Sequence, residues 1–437
     1  MSDELQRRAA AAVELAKSAG ADDVWATVYA ERNTECSTRD GQLEQMSENS
    51  SRSLGLRLWV DGRYSSHDTN DLREANLRAF VRDAVALTRA IEPDPLRRMP
   101  DPKRFGSVDV RALDLEDVSL AKLDVDARLE LCRSIDARAS GKPGVISASA
   151  QLMDGRIEHA VASSNGFTGG YASTFVAAMA AVSIADGDER PEGGMNAAAR
   201  HRADLPELTW IGDQALANAR ARIGAKPGKT GKGIMLVDRR AAADLVAMLL
   251  GPASADSLQQ GRSMWAERIG KRVLAKELEI VDDPLIPRGL GSRPFDDEGV
   301  AAMKRTIVSG GTLRTIFAGS YYAAKLGVEP TTESNSNLVL VPGKGDVHAL
   351  AANIRDGIYV TGWLGGNADD TTGDFSMGMI GHRIRKGEIA EPLGEMNVSG
   401  NLLQLFAHLE AIGDDVWRYN SLHTPSLVFD RVSFSGA

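Results

Sequence analysis

The chain of 437 residues contains two cysteines, Cys36 and Cys132, far apart in the sequence. That number excludes a disulfide framework as the source of stability. Histidine is nearly as scarce. The seven are His67, His159, His201, His348, His382, His408 and His423, and no two lie three to five positions apart. No helix can therefore offer a two-histidine face, and no C-x-x-C occurs, so a self-contained zinc catalytic site is not expected. There is no G-x-S-x-G elbow to expose a nucleophilic serine. Basic residues are in deficit, 51 Lys and Arg against 60 Asp and Glu, with a net charge of -9. A negative balance disfavours direct binding to nucleic acid, which normally needs a basic face. No apolar run approaches membrane-spanning length. The N-terminal stretch MSDELQRRAAAAVELAKSAGA is mostly alanine interrupted by Glu14 and Lys17, so it reads as an amphipathic helix rather than a targeting signal. What is present is ordinary globular material, 43% apolar and 25% charged, enough for a sizeable core. These features together predict a soluble cytoplasmic protein of two domains.

Read in order, the first half alternates helices with hairpins. A helix to about Ser18 precedes strands over 24–32 and 53–67, with Asp40-Gly41 and Asp61-Gly62 as turns. A helix over 72–87 ends at Pro93 and Pro95. After a proline- and charge-rich connection over 93–116, a helix near 125–137 leads to three strands, 145–153, 157–163 and 167–184. Asp154-Gly155 and Asn165-Gly166 are read as their hairpin turns. A helix over 211–223 closes this part. Lys226 to Gly233, KPGKTGKG, is polar and flexible and marks a boundary between an N-terminal domain, 1–225, and a C-terminal domain, 226–437. The second domain opens with a strand at 234–237 and helices over 239–250 and 254–269. Short strands with many Gly and Asp punctuators follow, interrupted by one helix at 399–411. The predicted class is α+β. An N-terminal α/β-layer domain with an antiparallel sheet precedes a C-terminal β-rich domain, sandwich- or barrel-like, with a few helices.

The motifs are few. Gly228-Lys229-Thr230 is not a phosphate loop, because Ile223 stands where a glycine is required and the segment follows a helix. Gly289-Leu290-Gly291 lacks the third glycine and the following helix of a dinucleotide fingerprint. Cys132 sits beside Leu131 on an apolar helix face, which is a packing environment. The most specialised stretch is Val281 to Val300, VDDPLIPRGLGSRPFDDEGV, where three prolines and three glycines surround Asp296, Asp297 and Glu298. Its backbone chemistry excludes a helix or a central strand, and its apolar residues argue for an ordered loop with a function. The carboxylate trio is open to three readings: an acid/base pair, a cation site, or a capped, hydrogen-bonded turn. The candidate substrate- or partner-binding residues are Gly289, Gly291, Arg293, Asp296, Asp297 and Glu298.

Several phrases occur together in a fixed order: RSLGLRLWVDGRYSSHDTNDL (52–72), the 281–300 loop, GGTLRTIFAGSYYAAKLGVEPT (310–331), DGIYVTGWLGGNADDTTGDFSMG (356–378) and SLVFDRVSFSGA (426–437). Across nearly the whole chain this pattern resembles the TldD/PmbA family, also described as modulators of DNA gyrase. In the TldD branch an H-E-x-x-x-H helix supplies zinc ligands and a general base. The matching region here is AAADLVAMLLG, Ala241 to Gly251, with Val246 and Gly251 at the ligand positions and Ala247 at that of the base. No cysteine follows near the C-terminus, where the TldD branch offers a further ligand. The chain thus resembles the PmbA (TldE) branch. The resemblance implies a subunit without its own zinc or other cofactor, paired with a zinc-bearing TldD-type protease subunit and acting on unfolded peptide. Whether the chain is itself an enzyme is left open, and no catalytic or metal residue is assigned. The alternatives are a homodimeric peptide- or protein-binding protein without peptidase activity, and an autonomous hydrolase using scattered carboxylates.

Overall fold

The computed structural model describes residues 3–436. Helix α1 (Asp3–Ser18) begins with Asp3 and Glu4 and ends near Lys17, which suits the helix dipole. Its buried stripe, Leu5, Ala9, Ala12, Val13 and Ala16, follows the three-to-four spacing of one helical face. Gly20, at φ 100°, stops it. Strands β1 (Asp23–Arg39), β2 (Gln42–Val60) and β3 (Arg63–Thr69) are joined by Asp40-Gly41 and Asp61-Gly62. Both turn pairs have positive φ throughout, as tight hairpins require. Helix α2 (Glu74–Thr88) follows, then the short α3 (Val110–Leu113) within the 93–116 connection, and α4 (Val125–Asp136). Strands β4 (Val145–Ser163), β5 (Thr168–Ile184) and β6 (Glu192–Ala199) and helix α5 (Leu208–Arg220) complete this half.

The six strands form one antiparallel sheet in the order β3-β2-β1-β4-β5-β6. Alternation along β1 assigns its two faces. Val24, Ala26 and Val28 lie under α1 and α2, and Cys36, further along the same face, lies under α4 and α5 beside Cys132. The cysteines, distant in sequence, are thus neighbours, with the Cys132 thiol donating to the Cys36 carbonyl at 3.2 Å, and both are unbridged. Trp25 points the other way. It joins Phe167 on the opposite face, which receives the C-terminal half.

Two expectations need correcting here. Asp154-Gly155 is no turn, because β4 runs unbroken through it and pairs with β1 and β5 along its length. Asp154 instead holds the buried Arg128 in a bidentate pair at 2.7 and 2.8 Å. Gly155 is small because a Cβ there would lie 2.2 Å from Asn33 Oδ1 and 2.4 Å from the Phe175 ring. The expected 254–269 helix is reduced to a single short one at 255–259, beyond which the chain turns to bury Trp265 and bond its indole N–H to the Leu249 carbonyl. The 226–230 segment is polar but tethered, its Lys226 carbonyl accepting from Gly394 N–H.

The second half begins with β7 (Gly231–Val237), α6 (Ala241–Leu250) and α7 (Ala255–Gln259). Strands β8 (Ile280–Asp282), β9 (Arg305–Ser309) and β10 (Thr312–Leu313) precede α8 (Ser320–Leu326), β11 (Leu338–Leu340) and α9 (Val347–Ala352). Then come the long strands β12 (Asp356–Ala368), β13 (Asp374–Arg385) and β14 (Glu388–Asn401). Helix α10 (Leu402–Ala407) leads to β15 (Leu409–Ile412), β16 (Leu422–His423) and β17 (Leu427–Ser435). Strands β14-β13-β12-β7-β17 form a barrel closed by pairing of β14 with β17 through Val398 and Phe434. Closure leaves no free edge within the ring. A smaller sheet, β10-β9-β8-β11-β16, lies beside it. Helix α6 contributes Leu245, Val246 and Leu249 to the core that these two sheets share. The fold is α+β, antiparallel in its first half and β-rich with a closed barrel in its second.

Candidate functional site

The 283–300 loop seats the two halves on each other. Pro294 and Gly299 accept backbone hydrogen bonds from Val108 and Gly106, and Val300 bridges to Phe105. Phe295, 4% exposed, enters the bare face of the first sheet, 5.1 Å from Phe167 and 5.7 Å from Tyr171, both edge-on. Phe167 in turn stacks on Trp25 at 5.2 Å. Arg200 of the first half donates to the carbonyls of Gly289 and Leu290, and Arg288 pairs with Asp114 and Asp204.

The expected site residues all lie on this loop and divide by role. Gly289 and Gly291 permit close approach. A Cβ on Gly291 would stand 2.3 Å from the Ser336 carbonyl oxygen, and one on Gly289 would meet Ser292 Oγ at 2.5 Å. The fully buried Asn337 binds this stretch: its amide donates to the Asp283 carbonyl and to Ser292 Oγ, and its oxygen accepts from Gly291 N–H at 2.8 Å. Arg293 reaches across to Ser334, donating to its Oγ and its carbonyl, and so fixes the 332–334 segment. The carboxylate trio separates. Asp296 accepts from the N–H groups of Glu298 and Val300, both at 3.0 Å, which makes it the capped turn. Asp297 is exposed, and its carbonyl accepts from Arg57. Glu298 is buried and accepts from both the N–H and the hydroxyl of Ser320, with Arg104 at 3.8 Å. Burial raises the Glu298 pKa, opposed by the Ser320 hydrogen bonds.

Helix α6 forms the other part of the site. Alanine and leucine favour it, Trp363 caps the Ala241 carbonyl, and Pro252 ends it. Val246 is 1% exposed and faces the core, whereas Ala247 and Gly251 are exposed on a cavity of about 250 Å³. Across that cavity run Glu333, Ser334 and Asn335, exposed residues whose backbone N–H groups make no hydrogen bond to other described residues. Glu333 also borders a second cavity, of about 260 Å³, between the halves, walled by Trp25, Trp59 and Tyr321. Asn337, the unpaired N–H groups of 333–335 and this aromatic wall escaped the sequence reading, because each becomes visible only when distant segments meet.

A closed barrel with an internal helix, docked through a glycine- and proline-built loop on a two-faced sheet, defines an architecture that comparisons place. Models of the PmbA/TldA metallopeptidase match in three parts: domain 1 at 26–88, the central domain at 119–223 and the C-terminal domain at 230–436. A Bacteroides thetaiotaomicron structure described as a candidate modulator of DNA gyrase shares 33% identity over the full length of both chains, with a TM-score of 0.96. The chain belongs to the PmbA/TldD family. The Metalloprotease PmbA homolog of Haemophilus influenzae is 26% identical over 99% of this chain and 96% of its own, and Metalloprotease PmbA of Escherichia coli O157:H7 is 25% identical over the same shares. TldE from Thermococcus kodakarensis shares the fold, with a TM-score of 0.86 at 17% identity over 98% of this chain and all of its own.

The family name raises the question of a metal. A catalytic zinc takes about three protein ligands. The exposed α6 residues on the cavity are alanine and glycine, its one carboxylate is Glu333, and no histidine lines it. Among the described residues no three His, Cys, Asp or Glu side chains are grouped to hold a metal. The donor set on α6 does not fit zinc. No helix among the described residues is long and apolar enough to cross a membrane.

Two predictions follow from this geometry. Gly291→Ala forces the Ser336 backbone aside and costs about 1–3 kcal/mol, read as a lowered denaturation midpoint. Gly231→Ala, with open space around its Cβ, serves as the near-neutral control. The second concerns His159, which packs edge-on to Tyr171 at 4.3 Å and to Phe295 at 5.9 Å. Burial depresses its pKa from 6.5 to about 4, with Asp297 opposing. Between those values the unfolded chain holds a proton that the folded chain refuses. Stability is therefore lost as pH falls through that window, by on the order of 3 kcal/mol. His159→Phe should flatten the wild-type decline in thermal midpoint from pH 6.5 to pH 4. An unchanged slope would mean that other groups set it.

Proposed function

We propose that this chain is the subunit without zinc of a two-subunit TldD/E-type metalloprotease, and that it completes the cleft in which an unfolded peptide is held. The supporting observation is α6. At the positions where a catalytic branch would carry histidine and glutamate it presents a buried valine and two exposed small residues, and the space they leave is bordered by the 333–335 segment, whose backbone N–H groups have no partner among the described residues. An extended peptide can bond to such backbone as an added strand, which gives affinity with little demand on sequence. Zinc, and the water it activates, would then be supplied by the TldD-type partner. On this reading the pair works in the cytoplasm.

The loop residues enter as the frame of the cleft. Gly289, Gly291 and Arg293 hold the 332–337 segment, Asp296 and Glu298 fix the loop and α8, and Asp297 is the one carboxylate exposed for contact with a partner or peptide. Asp296→Ala should weaken cleavage by the pair at least several-fold by loosening the turn. Asp297→Ala should alter assembly or KM with little effect on stability. If both variants assemble and cleave as wild type, the loop has no part in the cleft.

The central test is a peptidase assay on an unstructured peptide, with the chain alone and with a TldD-type partner, each with and without a chelator. The expected result is silence alone and chelator-sensitive cleavage by the mixture. Chelator-sensitive cleavage by the purified chain alone would overturn the proposal, as would failure of the two proteins to associate.

A further inference from the structure

The second cavity holds an unspent cation. Arg97 is half-buried, its guanidinium stacked 3.3 Å over the Tyr321 ring and 4.8 Å from that of Tyr64. The Tyr321 ring holds the guanidinium in place, yet its N–H groups donate to nothing among the described residues. Its closest acidic neighbour in sequence, Asp94, is occupied by the Tyr321 hydroxyl at 2.7 Å and by Leu96 N–H. Arg57 and Arg98 line the same cavity, and each donates only to a backbone carbonyl, of Asp297 and Pro95. Two carboxylates also face it. Glu298 is engaged with Ser320, and Glu333 stands at the junction with the α6 cavity. Three arginines against one engaged and one peripheral carboxylate, with Asp94 offsetting part of the Arg97 charge from beside the Tyr321 ring, leave a net positive lining. A planar guanidinium fork matches an oxyanion that accepts two parallel N–H bonds, and a peptide offers one as its carboxylate.

We propose that this cavity captures the C-terminal carboxylate of the bound peptide, with Arg97 as the bidentate anchor and Arg57 and Arg98 adding charge. The proposal rests on the peptide-cleft reading above. Glu333 borders both cavities, so a chain lying along 333–335 past Ala247 and Gly251 leads into the second one. There it meets the indoles of Trp25 and Trp59 on the face of the first sheet, where on this proposal the peptide stops. The group that reaches the arginines is then a chain end, and the only charge peculiar to that end is its carboxylate.

The test is fluorescence anisotropy with the full chain and an unstructured peptide labelled at its N-terminus, as the free acid and as the C-terminal amide. Wild type should bind the acid at least about tenfold more tightly. Arg97→Gln should bind both forms with the wild-type affinity for the amide, which also shows that the variant is folded. Equal binding of acid and amide by wild type overturns the anchor and leaves the cleft standing. A preference that survives in Arg97→Gln removes Arg97 from the role, and loss of amide binding in that variant makes its role structural. Inorganic phosphate that displaces the acid as well as an acetylated tripeptide acid does would show a general anion pocket. Binding of neither form would overturn the cleft itself, and the anchor with it.

Discussion

The cavity between the two halves depends on the first sheet having two apolar faces. A six-stranded antiparallel sheet covered by helices on one side normally turns polar residues outward on the other. Here Trp25, Val161 and Phe167 occupy that second side and take Phe295 among them. Edge-on packing of Phe295 against Phe167, Tyr171 and His159 makes the junction directional, since aromatic rings prefer tilted contacts and resist sliding. The hydrogen bonds that follow, from Arg200 to Gly289 and Leu290 and from Gly106 to Gly299, then lock a register that the aromatic contact has chosen. The cavity between the halves lies downstream of that register, whereas the α6 cavity is lined by second-half residues alone.

Helix α6 serves the core with one face and a cavity with the other. Its core face, Leu245, Val246 and Leu249, is what the barrel and the smaller sheet require. A histidine at 246 would need that face open to the cavity, whereas valine closes it and packs. The small residues Ala247 and Gly251 bring no polar group that would need a partner and leave room beside the helix. The fold thereby gains packing and a trough at the same position.

Periodicity and turn chemistry made most of the fold legible. The Asp40-Gly41 and Asp61-Gly62 turns and the amphipathic α1, α2 and α4 stand as their residues dictate, because those signals are local. Asp154-Gly155 misled for a reason outside local chemistry: the aspartate answers a buried arginine on α4, and the glycine yields to Asn33 and Phe175 across two strands. The same blindness covered Trp265, whose indole drew the chain off its helical course to reach Leu249. In the loop, composition marked the right stretch and tertiary contact alone divided its labour. Asp296 became a turn, Glu298 a cap for α8 and Asp297 an exposed group, although the three are consecutive and chemically alike.

Arg97 is the extreme case, since nothing in its neighbourhood, PDPLRRMP, distinguishes it from Arg98. Its character comes from Tyr64 on the first sheet and Tyr321 at the start of α8, two elements brought together only when the halves dock. A surface arginine that costs nothing to solvate gains little from any one partner. One held against a tyrosine ring with a second ring nearby has lost part of its rotamer freedom, so a carboxylate arriving there sacrifices less entropy in binding. Its vacant donors are thus better explained by a visiting acid than by packing, because packing alone is served by an uncharged side chain of the same shape.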